Sequence, residues 1–239
     1  MEITSGIRRL GPGYVNAYLL VDRDAVTIVD AGAPGYWSSL PSELAALGRS
    51  LDDVRAVVLT HAHSDHIGFA ERIRRERGVP IRVHTDDVPL TKRPQTPSFH
   101  GSVSVAAVLR FGLFGLMHGM LRKPPPILSV GEFADGETLD VPGRPRVIHV
   151  PGHSPGSAAL HVASQDAIFV GDAFVTLDVF GGGTGPRLSP FNADRALAFA
   201  SLARLDGIAA RLVLPGHGAP WRDGLHDALA RVREVSTPS

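Results

Sequence analysis

The 239-residue sequence has no cysteine. Thiolate metal sites, cysteine nucleophiles and disulfide staples are all excluded by that absence. A chain of this length buries roughly 75% of its unfolded surface, enough to hold a core without staples. Its length suits one large domain. Net charge is also absent, because 24 Lys and Arg balance 24 Asp and Glu. With no basic patch standing out, no nucleic-acid partner is expected. The opening Met1-Glu2-Ile3-Thr4 lacks the basic start and apolar core of a secretory signal, so the expected location is cytoplasmic.

An uninterrupted apolar span is missing too. The longest candidate, Val103 to Leu121, runs for nineteen residues, nearly bilayer length. Arg110 sits in its middle, where a charge on a lone span is costly, and Gly112, Gly115 and Gly119 weaken a helix. An integral membrane span is therefore not expected. Pro94, Pro97, Pro124, Pro125 and Pro126 flank the stretch. Residues 85–131 read as a helical insertion or cap within a single domain covering 1–239. A homo-oligomer contact, or peripheral contact with a membrane or lipid through 103–121, are the other readings.

Elsewhere strands and helices alternate. Apolar runs at 14–21 and 25–30 flank Asp22-Arg23-Asp24, a hairpin signal. Residues 36–48 place Leu40, Leu44 and Leu47 on one helical face, with Gly48 as a stop. A strand through Leu59, a helix from Ile67 to Arg77 closed by Gly78, and a strand from Ile81 to His84 follow. The arginines ending that helix complement its dipole. The second half predicts strands at Arg146–Val150, Ala158–Val162, Ala167–Val170 and Arg211–Leu214. It also predicts helices from Ala193 to Leu205, with Asn192 as N-cap, and from Trp221 to Val235.

The most informative stretch is Thr60-His61-Ala62-His63-Ser64-Asp65-His66, directly after the apolar run Val57-Val58-Leu59. Three imidazoles and a carboxylate at a strand tip match the ligand chemistry of zinc and similar divalent ions. The plainer reading is a polar loop or a helix N-terminus with Asp65 in its first turn. Three further residues recur in the same setting. His153 lies in Pro151-Gly152-His153-Ser154, Asp172 in Gly171-Asp172-Ala173, and His217 in Pro215-Gly216-His217, each just beyond an apolar run. Any one alone reads as a turn histidine or capping aspartate; together they point to a shared site. Ser154 and Ser157 read as turn residues.

Asp30, the His61/His63/Asp65/His66 cluster, His153, Asp172 and His217, in this order, resemble the metallo-β-lactamase-fold superfamily of hydrolases. The resemblance implies an α/β fold, a four-layer αββα sandwich of two mixed sheets flanked by helices. It implies that His61, His63 and His153 hold one metal, that Asp65, His66 and His217 hold a second, and that Asp172 bridges them. Asp30 would orient a ligand imidazole from behind, and Asp65 would hold the nucleophile and shuttle its proton. Two divalent ions, zinc foremost with iron or manganese as alternatives, would share a bridging hydroxide that attacks the substrate.

The bridging aspartate and the lack of a signal resemble glyoxalase-II-like thioesterases and lactonases more than β-lactamases. The expected function is hydrolysis of a small ester, lactone or thioester by this dinuclear site, with 103–121 shaping an apolar pocket. Alternatives are an iron-dependent sulfur (persulfide) dioxygenase or redox protein, a β-lactam hydrolase, and a non-catalytic metal-stabilised binding module. The remaining histidines (His84, His100, His118, His149 and His161) are candidates for the pocket wall, and His226 reads as surface. No substrate-binding residue is identified.

Overall fold

The computed structural model describes residues 1–93 and 98–236, so Pro94 and Pro97 lie outside the described residues. In the first half the chain forms β1 (Glu2–Thr4), β2 (Ile7–Leu10), β3 (Ala17–Asp22), β4 (Ala25–Val29), β5 (Val54–Val58) and β6 (Ile81–His84). After β7 (Ser98–Phe99) comes β8 (Gly131–Phe133). Seven of these make one mixed sheet, in the order β1-β2-β3-β4-β5-β6-β8. It is antiparallel through β4 and parallel from β4 to β8. The hairpin expected at Asp22-Arg23-Asp24 joins β3 to β4, with Arg23 at φ 56°.

The second half supplies β9 (Arg146–His149), β10 (Ala158–Val162), β11 (Ala167–Gly171), β12 (Val175–Leu177), β13 (Thr184–Arg187), β14 (Phe191–Asn192) and β15 (Leu212–Pro215). A second mixed sheet runs β15-β11-β10-β9, with β11 and β15 parallel. Two short ribbons, β12-β13 and β14-β7, stand outside both sheets.

Alternation of side chains sorts the core into layers. Along β3, Tyr18 and Leu20 face Leu160, Phe169 and Leu214 of the second sheet, whereas Ala17 and Leu19 face the other way. The outer side of the first sheet carries α1 (Tyr36–Ala45) and α2 (Ala70–Arg77), anchored by Leu40, Leu44, Ala70 and Ile73. Two more helices, α3 (Val88–Lys92) and α4 (Val105–Met117), follow. The outer side of the second sheet is covered by α5 (Arg195–Ser201) and α6 (Leu225–Val235), through Ala198, Leu225, Leu229 and Val232. The order is helix, sheet, sheet, helix: the αββα sandwich.

Several boundaries move. The helix predicted from Ala193 begins at Arg195 because the Asp194 side chain accepts from the Leu197 amide at 2.9 Å. Asn192 is instead a strand residue whose amide donates to the Ser189 carbonyl. The last helix starts at Leu225 rather than Trp221, since Trp221 is spent bridging Val213. The first helix ends at Ala45, with Leu47 half-buried behind it. The α2 arginines mostly make ion pairs: Arg74 forks onto Glu71 at 2.7 and 2.8 Å, and Arg72 meets Glu76.

Two glycines separate strain from crowding. Gly78 ends α2 in the left-handed region at φ +69°, with open space where a Cβ would stand. Gly152 has φ +125°, and a Cβ there would lie 2.1 Å from the Ala198 amide of α5. Gly78→Ala should cost about 1–2 kcal/mol. Gly152→Ala adds a backbone collision and should cost about 3 kcal/mol or more. Urea unfolding of both variants checks the difference; equal midpoints would refute the packing of α5 on the Gly152 turn.

Candidate metal centre

Strand ends deliver every side chain of the site. Asp30 follows β4, and the stretch from Thr60 to His66 follows β5, its parallel neighbour. Asp172 follows β11 and His217 follows β15, again a parallel pair, while His153 lies in the turn after β9. C-terminal ends of parallel strands share one edge of a sheet, which is where open sheets gather ligands. Here two sheets bring such edges together. His61, His63, His66, His153, Asp172 and His217 are buried, and Asp65 is partly exposed.

Potential ligand atoms of His61, His63 and His153 lie within 4.8 Å of one another, as do those of Asp65, His66 and His217. Asp172 stands between the two groups. Its Oδ2 is 3.6 Å from His153 Nε2 and 3.0 Å from His217 Nε2, and its Oδ1 is 3.7 Å from His66 Nε2. All eight residues singled out from the sequence therefore meet, Asp30 from behind.

Hydrogen bonds assign the ring nitrogens. Thr60 Oγ1 donates to Asp30 Oδ2 at 2.8 Å and so accepts from His61 Nδ1 at 3.1 Å. His66 Nδ1 donates to Asp30 Oδ2 at 3.1 Å, and His153 Nδ1 to the Phe191 carbonyl at 2.6 Å. His217 Nδ1 donates to the Tyr14 carbonyl. Four imidazoles thus commit Nδ1 to the scaffold and turn Nε2 inward. His63 differs, with its Nδ1 2.8 Å from His153 Nε2. Only a proton or a shared cation reconciles two ring nitrogens facing each other at that distance. His61 Nε2 and Asp172 Oδ1 are buried without any hydrogen-bond partner.

The electrostatics match a cation site. Burial, reinforced by neighbouring imidazoles, pushes His61 well below the usual histidine range and His153 down to about 3. Burial also lowers His63. Burial would depress His66 as well, but Asp65, Asp172 and the Asp30 hydrogen bond raise it to about 10. His217 is raised against burial by Asp172. Asp172 would rise on burial, yet His217 and His66 hold it well below the carboxylate range, and Asp65 is lowered in the same way. Without a metal, protons on imidazoles balance the two carboxylates; divalent cations would displace them. Imidazole nitrogen with carboxylate oxygen, and no thiolate, fits zinc or iron.

Several supporting residues carry no sequence signal. Asp87, fully buried, accepts from the Ala62 amide at 2.9 Å and Ser154 Oγ at 2.8 Å through Oδ2, and from the Gly156 amide at 2.6 Å through Oδ1. It thereby ties the histidine-rich loop to the His153 turn, and Ser154 serves as a strut. Asn16 and Tyr18 grip the Pro215 carbonyl before His217. A Cβ on Gly216 would lie 2.1 Å from Asp172 Oδ1, so a glycine there lets the carboxylate in. Thr60 opens the motif, but its relay between Asp30 and His61 is visible only in three dimensions.

A cleft of about 190 Å³ opens over this group. Its floor is His63, Asp65, His153, Asp172 and His217; its wall is Phe111 and Met120 from the 103–121 segment, with Val179, Phe180 and Phe191. None of the other histidines lines it. His84 and His149 stack on each other at 4.1 Å, His118 stacks on Phe114, His161 bonds the Ala209 carbonyl, and His100 and His226 are exposed.

The family model described as the metallo-beta-lactamase superfamily matches residues 10–217. The probable metallo-hydrolase YqgX of Bacillus subtilis is 30% identical over 212 residues, which is 87% of each chain. The metallo-beta-lactamase family protein TTHA1429 of Thermus thermophilus aligns with TM-score 0.68 at 26% identity, covering 98% of this chain and 79% of its own. TTHA1623, solved in a di-iron-bound form, aligns with TM-score 0.62 at 30% identity, covering 95% and 97%. With the layered fold and the convergent strand-end residues, these matches make the chain a member of the metallo-β-lactamase superfamily.

Proposed function

We propose that this superfamily member is a dinuclear metal-dependent hydrolase of a small ester, lactone or thioester. One observation carries the reading: five imidazoles and two carboxylates converge on a buried space in which His61 Nε2 and Asp172 Oδ1 have no partner. Buried polar atoms without partners are rare and call for an absent ligand. In this reading His61, His63 and His153 hold one ion, and Asp65, His66 and His217 hold the other. Asp172, which contacts both groups, joins them. When bound, such an ion pair supplies Lewis acidity toward a carbonyl and an acidified water as nucleophile near neutral pH.

The chain's own groups do the rest. Asp65 is the carboxylate of the pair with solvent access, so in this reading it orients the nucleophile and relays its proton toward solvent. Phe111, Met120, Val179, Phe180 and Phe191 receive the apolar part of the substrate and exclude water. Among the described residues no Lys or Arg lines the cleft, which favours an uncharged acyl substrate over a phosphate ester. In this reading α4 and the turn after it, which bring Phe111 and Met120 to the cleft, act as the cap. An iron-dependent sulfur (persulfide) dioxygenase or redox protein is the second reading, favoured by the di-iron form of TTHA1623.

Exhaustive chelation should abolish turnover of an ester, lactone and thioester panel, and added zinc should restore it. Activity indifferent to chelation would refute the proposal, and oxygen uptake restored by iron alone would select the second reading. Asp172→Ala should leave about one tightly held metal equivalent instead of two, read by metal analysis after dialysis; two equivalents would remove this residue from the bridge.

Asp30→Asn tests the support behind His66. The left-handed backbone at residue 30, φ 59°, suits asparagine. An amide there would oppose the His66 Nδ1 proton, turn the ring to its other tautomer and close Nε2 to a cation. Affinity for the second ion should fall about 10–100-fold, with thermal unfolding little changed. An unaltered titration would contradict this role.

A further inference from the structure

Helix α4 is apolar on both sides. Its inner face packs Ala107, Phe114 and Gly115 into the body, and Phe111 reaches the cleft. Its outer face and the turn after it present Val105, Leu109, Leu113, Leu116, Met117 and Leu121, between 59% and 76% exposed. The positions 105, 109, 113 and 116 follow helical spacing, so these side chains form one stripe. A surface helix normally carries polar residues there. Contiguous exposed apolar area of this kind marks an interaction site.

The charge of the segment that carries the stripe is one-sided although the chain as a whole is neutral. From Val88 to Gly131 the sequence has no Asp or Glu but has Lys92, Arg93, Arg110, Arg122 and Lys123. Arg110, Arg122 and Lys123 are exposed and have no acidic partner among the described residues. A second copy laid on this face would set like cations against each other, which is costly. An apolar stripe rimmed by cations suits a surface that is apolar beneath and anionic at its rim. Among the described residues no helix is long and apolar enough to cross a membrane, so any contact is lateral.

We propose that the outer face of α4 docks on the surface of an anionic lipid bilayer, with its leucines at the headgroup boundary and Arg110, Arg122 and Lys123 on lipid phosphates. Apolar area together with electrostatic attraction is the pairing of signals that holds an interfacial helix. Because Phe111 of this helix and Met120 just beyond it line the cleft, docking sets the cleft beside the lipid.

Flotation of the full chain with vesicles tests the docking. The protein should partition onto vesicles of phosphatidylcholine mixed equally with phosphatidylglycerol, less onto phosphatidylcholine alone, and come off as salt rises. Arg122→Ala and Lys123→Ala should each weaken partition about fivefold. Leu109→Ser with Leu116→Ser should abolish it, with an unchanged melting temperature showing that the fold survives. No partition at low salt, or partition indifferent to these variants, would overturn the proposal. So would sedimentation showing a dimer that the leucine variants dissolve. Binding is read without turnover, so its failure leaves the hydrolase reading standing.

Discussion

The structure depends on one constraint: a ring nitrogen buried between apolar layers must find an acceptor. Leaving such a group unpaired costs about 1–3 kcal/mol. Asp30, Thr60 and the carbonyls of Phe191 and Tyr14 satisfy the outward-facing nitrogens of His66, His61, His153 and His217. Once those are fixed, the opposite nitrogens have one direction left. The geometry of the inward-facing nitrogens is a consequence of how the scaffold pairs its own polar groups.

The same economy explains the loops. Each functional side chain stands at a strand end, where the ladder no longer claims the backbone. The exposed backbone groups are then tied by side chains from elsewhere. Asp87 binds the loop after β5 to the turn after β9, and so couples the two sheets at the site without entering it. Asn16 and Tyr18 do the equivalent for the turn before His217. These contacts hold the first sheet to the second more directionally than the apolar layer of Tyr18, Phe169 and Leu214 alone could.

Most of the site was legible in the sequence, because apolar runs that stop at Asp, His or Gly mark strand tips. The His61–His66 stretch and the turns at His153, Asp172 and His217 all follow such runs. The helix face of Leu40 and Leu44 was likewise readable from spacing. The supporting layer was not. Carbonyls of Tyr14 and Phe191 are partners any residue could offer, and Asp87 beside Asp86 has no distinguishing pattern. The cap error at α5 arose because Asn192 and Asp194 are both good N-caps two residues apart, and the Ser189 carbonyl occupies the first. The 103–121 share of the cleft wall, Phe111 and Met120, was expected, but Val179, Phe180 and Phe191 were not, because they come from irregular segments and short ribbons.

The bond from His217 to the Tyr14 carbonyl joins residues 203 positions apart. A contact of such separation closes most of the chain into one loop, whose entropy the rest of the fold must offset. The local stretch from His61 to His66 carries only three of the five imidazoles, so by itself it is an incomplete set. The full set of converging groups is thus a property of the completed architecture. Without the far end of the chain the inward-facing groups make half a cradle, and the His217 turn is what shuts the ring.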